Sequence, residues 1–205
     1  YRNAFSTQVR SFQLDTMDGE IERGKQIEVT LKGRVDKAFP YQAKIEGGPL
    51  DALLHSPEPW PFSVAFEFLG KPGCAVPVLD MAVDIVDAVD RPNVGMVIDT
   101  FHFHAGNSRF EDLDRVRIDR LFVVHLNGCE DLPRDQLTDA HRLYPGEGVI
   151  PIDRILSRLR ARGWDGTASV EIFRPAYWNQ DPREVARVAY ARATAVAHAA
   201  GFTIT

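Results

Sequence analysis

Four short apolar runs in this chain each end on a single residue of metal-ligand type. They are Val64-Ala65-Phe66-Glu67, Gly95-Met96-Val97-Ile98-Asp99, Leu121-Phe122-Val123-Val124-His125 and Ala168-Ser169-Val170-Glu171. Each is rich in β-branched or aromatic residues and lacks strict alternation, as a strand buried on both faces does. Amphipathic helical stretches separate them. A strand–helix repeat builds a parallel sheet, and such sheets place their chemistry at the C-terminal ends of the strands. Two glutamates, one aspartate and one histidine are therefore expected at one rim. Three carboxylates and one imidazole suit a hard or borderline divalent ion.

The segments between the runs read as helices and loops. Gly70-Lys71-Pro72-Gly73 is a loop. Leu79, Ala82, Val83, Val86 and Val89 follow helical spacing, with Asp80, Asp84 and Asp87 on the other side. A shorter helix is predicted over Ser108 to Arg117, with Ser108 as cap and Glu111 completing a capping box. Residues Asn127 to Pro151 form a long loop. Ile152, Ile155, Leu156 and Leu159 then make an apolar stripe that Gly163 stops. Asp181-Pro182 starts a last helix, with Val185, Val188, Ala189, Val196 and Ala200 facing inward.

The chain changes character near Pro61, which divides it into an N-terminal segment, 1–62, and a strand–helix unit, 63–205. In the first part Gln26 to Val35 alternates and Tyr41 to Glu46 reads as a second short strand, a hairpin-like pattern or poorly ordered chain. The 205 residues are fewer than the roughly 250 of a complete eight-fold strand–helix barrel. The net charge of -5 argues against nucleic acid, which needs a basic face. Cys74 and Cys129 stand in unrelated contexts, so reduced thiols in a cytoplasmic protein fit better than a disulfide framework. No apolar run approaches the roughly 18 residues of a membrane helix.

Specific stretches go further. Phe66-Glu67-Phe68-Leu69-Gly70, Ile98-Asp99-Thr100-Phe101-His102-Phe103, His125-Leu126-Asn127, Leu137-Thr138-Asp139, Arg142, Pro145-Gly146-Glu147-Gly148 and Val170-Glu171-Ile172-Phe173-Arg174-Pro175 resemble the xylose isomerase-like barrel superfamily of sugar isomerases and epimerases. Within it they most resemble the 2-keto-myo-inositol (inosose) isomerase-like branch. The intervals of 32, 26 and 46 residues between Glu67, Asp99, His125 and Glu171 suit that family too. The resemblance covers residues 64–199. It implies the C-terminal half of a (β/α)8 TIM barrel, with the N-terminal half atypical or missing.

The resemblance also assigns roles. Glu67, Asp99, His125 and Glu171 would hold one divalent ion, manganese being favoured and magnesium, cobalt or zinc the alternatives. Glu67 and Glu171 would shuttle a proton next to a substrate carbonyl through a cis-enediolate. His102 and Arg142 would contact the substrate, a polyol-derived ketone or ketose of inosose type. Lys71 would contact substrate or be solvated, and Trp178 is a weaker candidate for the pocket wall. The implied function is a metal-dependent isomerase or epimerase, a cytoplasmic enzyme of inositol catabolism. A homo-oligomer is compatible with it, and neither nucleic acid nor membrane is an expected partner. Two alternatives stay open: a dehydratase of a cyclic hydroxyketone, and a truncated barrel remnant without catalysis.

Overall fold

The computed structural model describes residues 63–204 and two short strands before them, β1 (Lys32–Arg34) and β2 (Gln42–Lys44), which pair antiparallel. These two strands lie within the stretches read as hairpin-like, Gln26 to Val35 and Tyr41 to Glu46, and the rest of the segment 1–62 lies outside the described residues. From Val64 onward the elements are β3 (Val64–Glu67), α1 (Leu79–Val89), β4 (Val94–Asp99), α2 (Thr100–Ala105), β5 (Leu121–Leu126), β6 (Gly128–Cys129), β7 (Arg142–Leu143), α3 (Ile152–Ala161), β8 (Thr167–Val170), α4 (Pro175–Trp178) and α5 (Pro182–Ala199).

Strands β3, β4, β5 and β8 form one parallel sheet in that order. Among the described residues it does not close: β3 and β8 are its two edges. The register settles where the strand-end side chains point. Glu67 lies opposite Val97, Asp99 opposite His125, and His125 opposite Ser169. Neighbours in register share a face, and so do residues two apart along a strand. Glu67, Asp99, His125 and, by extension, Glu171 thus belong to the same face, although their level climbs along the sheet from β3 to β8.

The opposite face is packed. Met96, Ile98, Val124 and Leu126 join Leu79, Ala82, Val83 and Val86 of α1 and Ile152, Ile155, Leu156 and Leu159 of α3 in one core. The apolar stripes of α1 and α3 are buried as their spacing predicts, except that Val89 is 45% exposed at the end of its helix. Gly163 stands at φ 89°, a left-handed conformation that ends α3. Asp181 accepts from the Arg183 N–H, and Pro182 occupies the first turn of α5.

One local expectation changes. Within the stretch Ser108 to Arg117, where a helix is expected, stands one 3-10 helix, Phe110–Asp114, and its cap is Arg109, whose N–H donates to Asp112. The Ser108 hydroxyl instead accepts from the Leu79 N–H, joining this turn to α1. Another element matters more for the site. The stretch after Asp99 is a helical turn, α2, because the Asp99 side chain caps it by accepting from the His102 N–H at 3.0 Å.

Candidate metal centre

Glu67, Asp99, His125 and Glu171 converge at the C-terminal ends of β3, β4, β5 and β8. One ligand-type atom from each lies within 4.8 Å of every other. His125 Nδ1 is the hub, 3.3 Å from Glu67 Oε1, 3.4 Å from Glu171 Oε2 and 3.8 Å from Asp99 Oδ2. The cluster is largely withdrawn from water: the Asp99 side chain is fully buried and that of Glu67 is 7% exposed.

The electrostatics are those of anions crowded together. Burial and the charges of Asp99 and Glu171 raise the Glu67 carboxyl above its ordinary range, against the pull of His125. Burial would likewise raise Asp99, but Arg142 and the His102 backbone N–H outweigh it and draw the carboxyl down to about 2. Burial works against a charged His125, yet the Glu171 and Glu67 carboxylates close beside it prevail and lift the imidazole to about 10. Even so, Glu67 Oε1 and His125 Nδ1 are buried without a well-formed hydrogen bond. Buried polar atoms are rarely left so. A divalent cation fits this arrangement: it would satisfy both atoms and offset the three carboxylates, and the donor set is one such ions accept.

Around the cluster runs a tight polar scaffold. Arg142 is 1% exposed, and all three of its guanidinium nitrogens are engaged by protein groups. Nη1 donates to Asp99 Oδ2 at 2.6 Å and to the Glu171 carbonyl at 3.2 Å. Nη2 donates to His102 Nε2 at 3.1 Å, and Nε to Asp139 Oδ1 at 3.1 Å. The rings of Phe101 and Phe173 flank the guanidinium at 4.6 and 5.4 Å.

His102 is buried with it. Arginine offers no acceptor, so His102 Nε2 must accept and the ring proton sits on Nδ1, which has no partner. Burial pushes this imidazole down to about 4, keeping it neutral. Lys71 is ion-paired to Asp139 Oδ2. Trp178 is 68% exposed, outside the cluster.

The long loop after β5 places Arg142. β6 and β7 pair antiparallel, with Cys129 opposite Arg142, so the arginine enters the site from a strand. Two glycines permit this. A Cβ on Gly128 would stand 2.0 Å from the Glu147 carbonyl oxygen, and one on Gly148 would stand 1.7 Å from that of Cys129.

Two scaffold residues escape a reading of strand ends alone. Asn127 Nδ2 donates to Asp99 Oδ2 and to the Glu171 carbonyl, each at 3.2 Å, and Asn127 is itself locked to Thr100. Its period-two spacing from His125 is the signal that it shares the ligand face. Asp139 stands in the sequence within the stretch Leu137-Thr138-Asp139, three residues before Arg142, with no role at the site attached to it.

The model of the xylose isomerase-like TIM barrel family matches residues 61–194. The chain belongs to this family. An inosose isomerase of Halalkalibacterium halodurans (strain ATCC BAA-125) is 41% identical over 140 residues, 68% of this chain and 50% of that protein. One from Bacillus subtilis (strain 168) is also 41% identical over 140 residues, with the same shares of each chain. Among solved structures, the IOLI protein with a bound zinc atom is 38% identical with a TM-score of 0.68, covering 72% of this chain and 52% of that one. The chain therefore spans about half the length of these relatives. Like the family, it carries parallel strand–helix units. No helix among the described residues is long and apolar enough to cross a membrane.

Proposed function

We propose that this chain carries the metal-holding half of an isomerase or epimerase that acts on a polyol-derived ketone or ketose, an inosose-type cyclitol being favoured. The observation that carries this reading is the convergence of Glu67, Asp99, His125 and Glu171 within 4.8 Å on one face of a parallel sheet. Inosose isomerases 41% identical over 140 residues support the substrate class. The relative with bound zinc supports a divalent ion, and the carboxylate-rich donor set suits manganese equally.

The difficult step in such chemistry is removing a proton from a carbon next to a carbonyl, since the charge left behind must be spread onto oxygen. Held by the four side chains, a divalent cation would stabilise that charge as a Lewis acid. The remaining work belongs to the protein. Glu67 or Glu171 accepts the proton, and the same or the opposite carboxylate returns it. Return at the neighbouring carbon is isomerisation, and return to the other face of the same carbon is epimerisation. The unpartnered Nδ1–H of His102 can donate to a substrate oxygen. Arg142, with its nitrogens already engaged, acts on the ligands more than on substrate.

The test is proton exchange. Incubated with cyclitol ketones and ketoses in D2O and Mn²⁺ or Zn²⁺, the 205-residue chain exchanges the α-hydrogen, and Glu171→Gln abolishes this. A dehydrated product would replace the isomerase reading with the dehydratase one. Stoichiometric metal binding without exchange would mean that these 205 residues lack the activity proposed for them.

A further inference from the structure

Asp139 lies outside the ligand set, yet its carboxylate joins two cations. Oδ1 accepts from Arg142 Nε at 3.1 Å and stands 3.1 Å from Nη2, while Oδ2 pairs with Lys71 Nζ. Lys71 comes from the loop after β3 and Asp139 from the loop after β5, so the ion pair ties the two across the end of β4. The Lys71 and Asp139 side chains are 35% and 34% exposed, whereas Arg142 is buried. Asp139 is thus the outer anchor of a buried guanidinium.

Resting on the proposed metal site, we infer that Asp139 is a positioning residue for Arg142, and through it for Asp99, Glu171 and His102. Two physical consequences follow. The first is aim. A guanidinium is a rigid planar fork. Fixing its Nε edge on Asp139 leaves Nη1 directed at Asp99 Oδ2 and the Glu171 carbonyl, and Nη2 at His102 Nε2. The donation from Nη2 is what holds the His102 proton on Nδ1. The second is charge. Without Asp139, both Lys71 and Arg142 would lose a counter-charge close to the ligand carboxylates. Their positive potential would then compete with a divalent cation for Asp99 and Glu171. Asp139 balances both cations and leaves the carboxylates available.

The test compares the wild-type chain with Asp139→Asn, which keeps shape and removes charge, and Asp139→Ala. Zn²⁺ affinity is measured by calorimetry, and the His102 tautomer by ¹⁵N NMR of the metal-free chain. Loss of a group supporting metal ligands costs about 10–100-fold in metal affinity, and that range is expected for Asp139→Ala, with a smaller loss for Asp139→Asn. In the metal-free chain the His102 nitrogen shifts of Asp139→Ala move away from the pure Nδ1–H form. Lys71→Met, which removes one of the two cations, restores part of the affinity lost in Asp139→Ala. Unchanged affinity together with an unchanged tautomer in both Asp139 variants overturns the inference. So does lost affinity accompanied by lost cooperative unfolding in Asp139→Asn, which would make the residue merely structural. If the wild-type chain binds no Zn²⁺, the metal reading fails, and the metal-free tautomer alone decides the role of Asp139.

Discussion

β4 and β8 carry the same kind of residue at their C-terminal ends, yet they hold it by different means. β4 has a strand on each side, and its residues are buried from Gly95 to Asp99. Its carboxylate is fixed by the His102 N–H, Arg142 and Asn127. β8 is an edge among the described residues, and Thr167, Ala168 and Ser169 are exposed. Glu171 lies just past its end, with a side chain 16% exposed. It is held chiefly through its backbone carbonyl, which accepts from both Arg142 and Asn127. Those same two groups grip Asp99. A rigid carboxylate at the centre and a looser one at the edge are thus tied to one guanidinium and one carboxamide.

The strongest way to break this contrast is Asp99→Ala. It removes a candidate ligand and leaves the guanidinium of Arg142 buried beside a vacated partner. Removing one member of a buried ion pair typically costs about 3–5 kcal/mol, and that loss is expected in denaturant unfolding, together with loss of metal binding. Glu171→Gln should abolish metal binding as well, but with a far smaller effect on stability, since the carbonyl contacts survive. Equal destabilisation by the two variants would erase the distinction.

A second comparison uses the strands themselves. Ile98 on β4 is fully buried in the core, and Ile98→Ala should cost about 2–5 kcal/mol. Val170 on β8 is half-buried, and Val170→Ala should cost roughly 1 kcal/mol. A larger loss at Val170 would mean that β8 is covered on a face these residues do not show.

Much of this asymmetry could be read in the chain. The four apolar runs mark the parallel strands, and their terminal residues mark one face, because register and period place them there without reference to loops. The α1 and α3 stripes were equally plain. The short helix α2 was hidden, since its start depends on Asp99 serving as a cap as well as a candidate ligand. The surroundings of Arg142 were hidden too. They depend on β6 pairing with β7 and on the close backbone approaches at Gly128 and Gly148, which are contacts between residues distant in sequence. Arg142 reads in sequence as a substrate contact, but its partners are the Asp99 and Asp139 carboxylates, His102 and the Glu171 carbonyl.

Metal sharpens the contrast in the other direction. At a free Zn²⁺ concentration 100 times the Kd, a single site stabilises the folded chain by about 2.7 kcal/mol. The gain should be uneven. Hydrogen exchange should slow more over residues 167–173 than over 94–99, because β4 is already held by packing. Chelation with EDTA should reverse it. Uniform protection would mean that the four ligands stiffen together.

A pH dependence also follows from His125. Its folded value of about 10 lies above the ordinary 6.5. In the metal-free chain, the stabilisation from its charged form is fully present below about pH 6.5 and fades as pH rises through 10. Metal binding runs the opposite way, because the imidazole must give up its proton to coordinate. Between pH 7 and 9 each unit of pH should therefore tighten Zn²⁺ binding about tenfold, the signature of one proton released per ion bound. Calorimetry in buffers of different ionisation enthalpy counts that proton directly. A count near zero would mean that His125 is already neutral among the carboxylates. The cluster would then be less anionic in effect than its geometry implies, with Arg142 supplying most of the balance for Asp99 and Glu171.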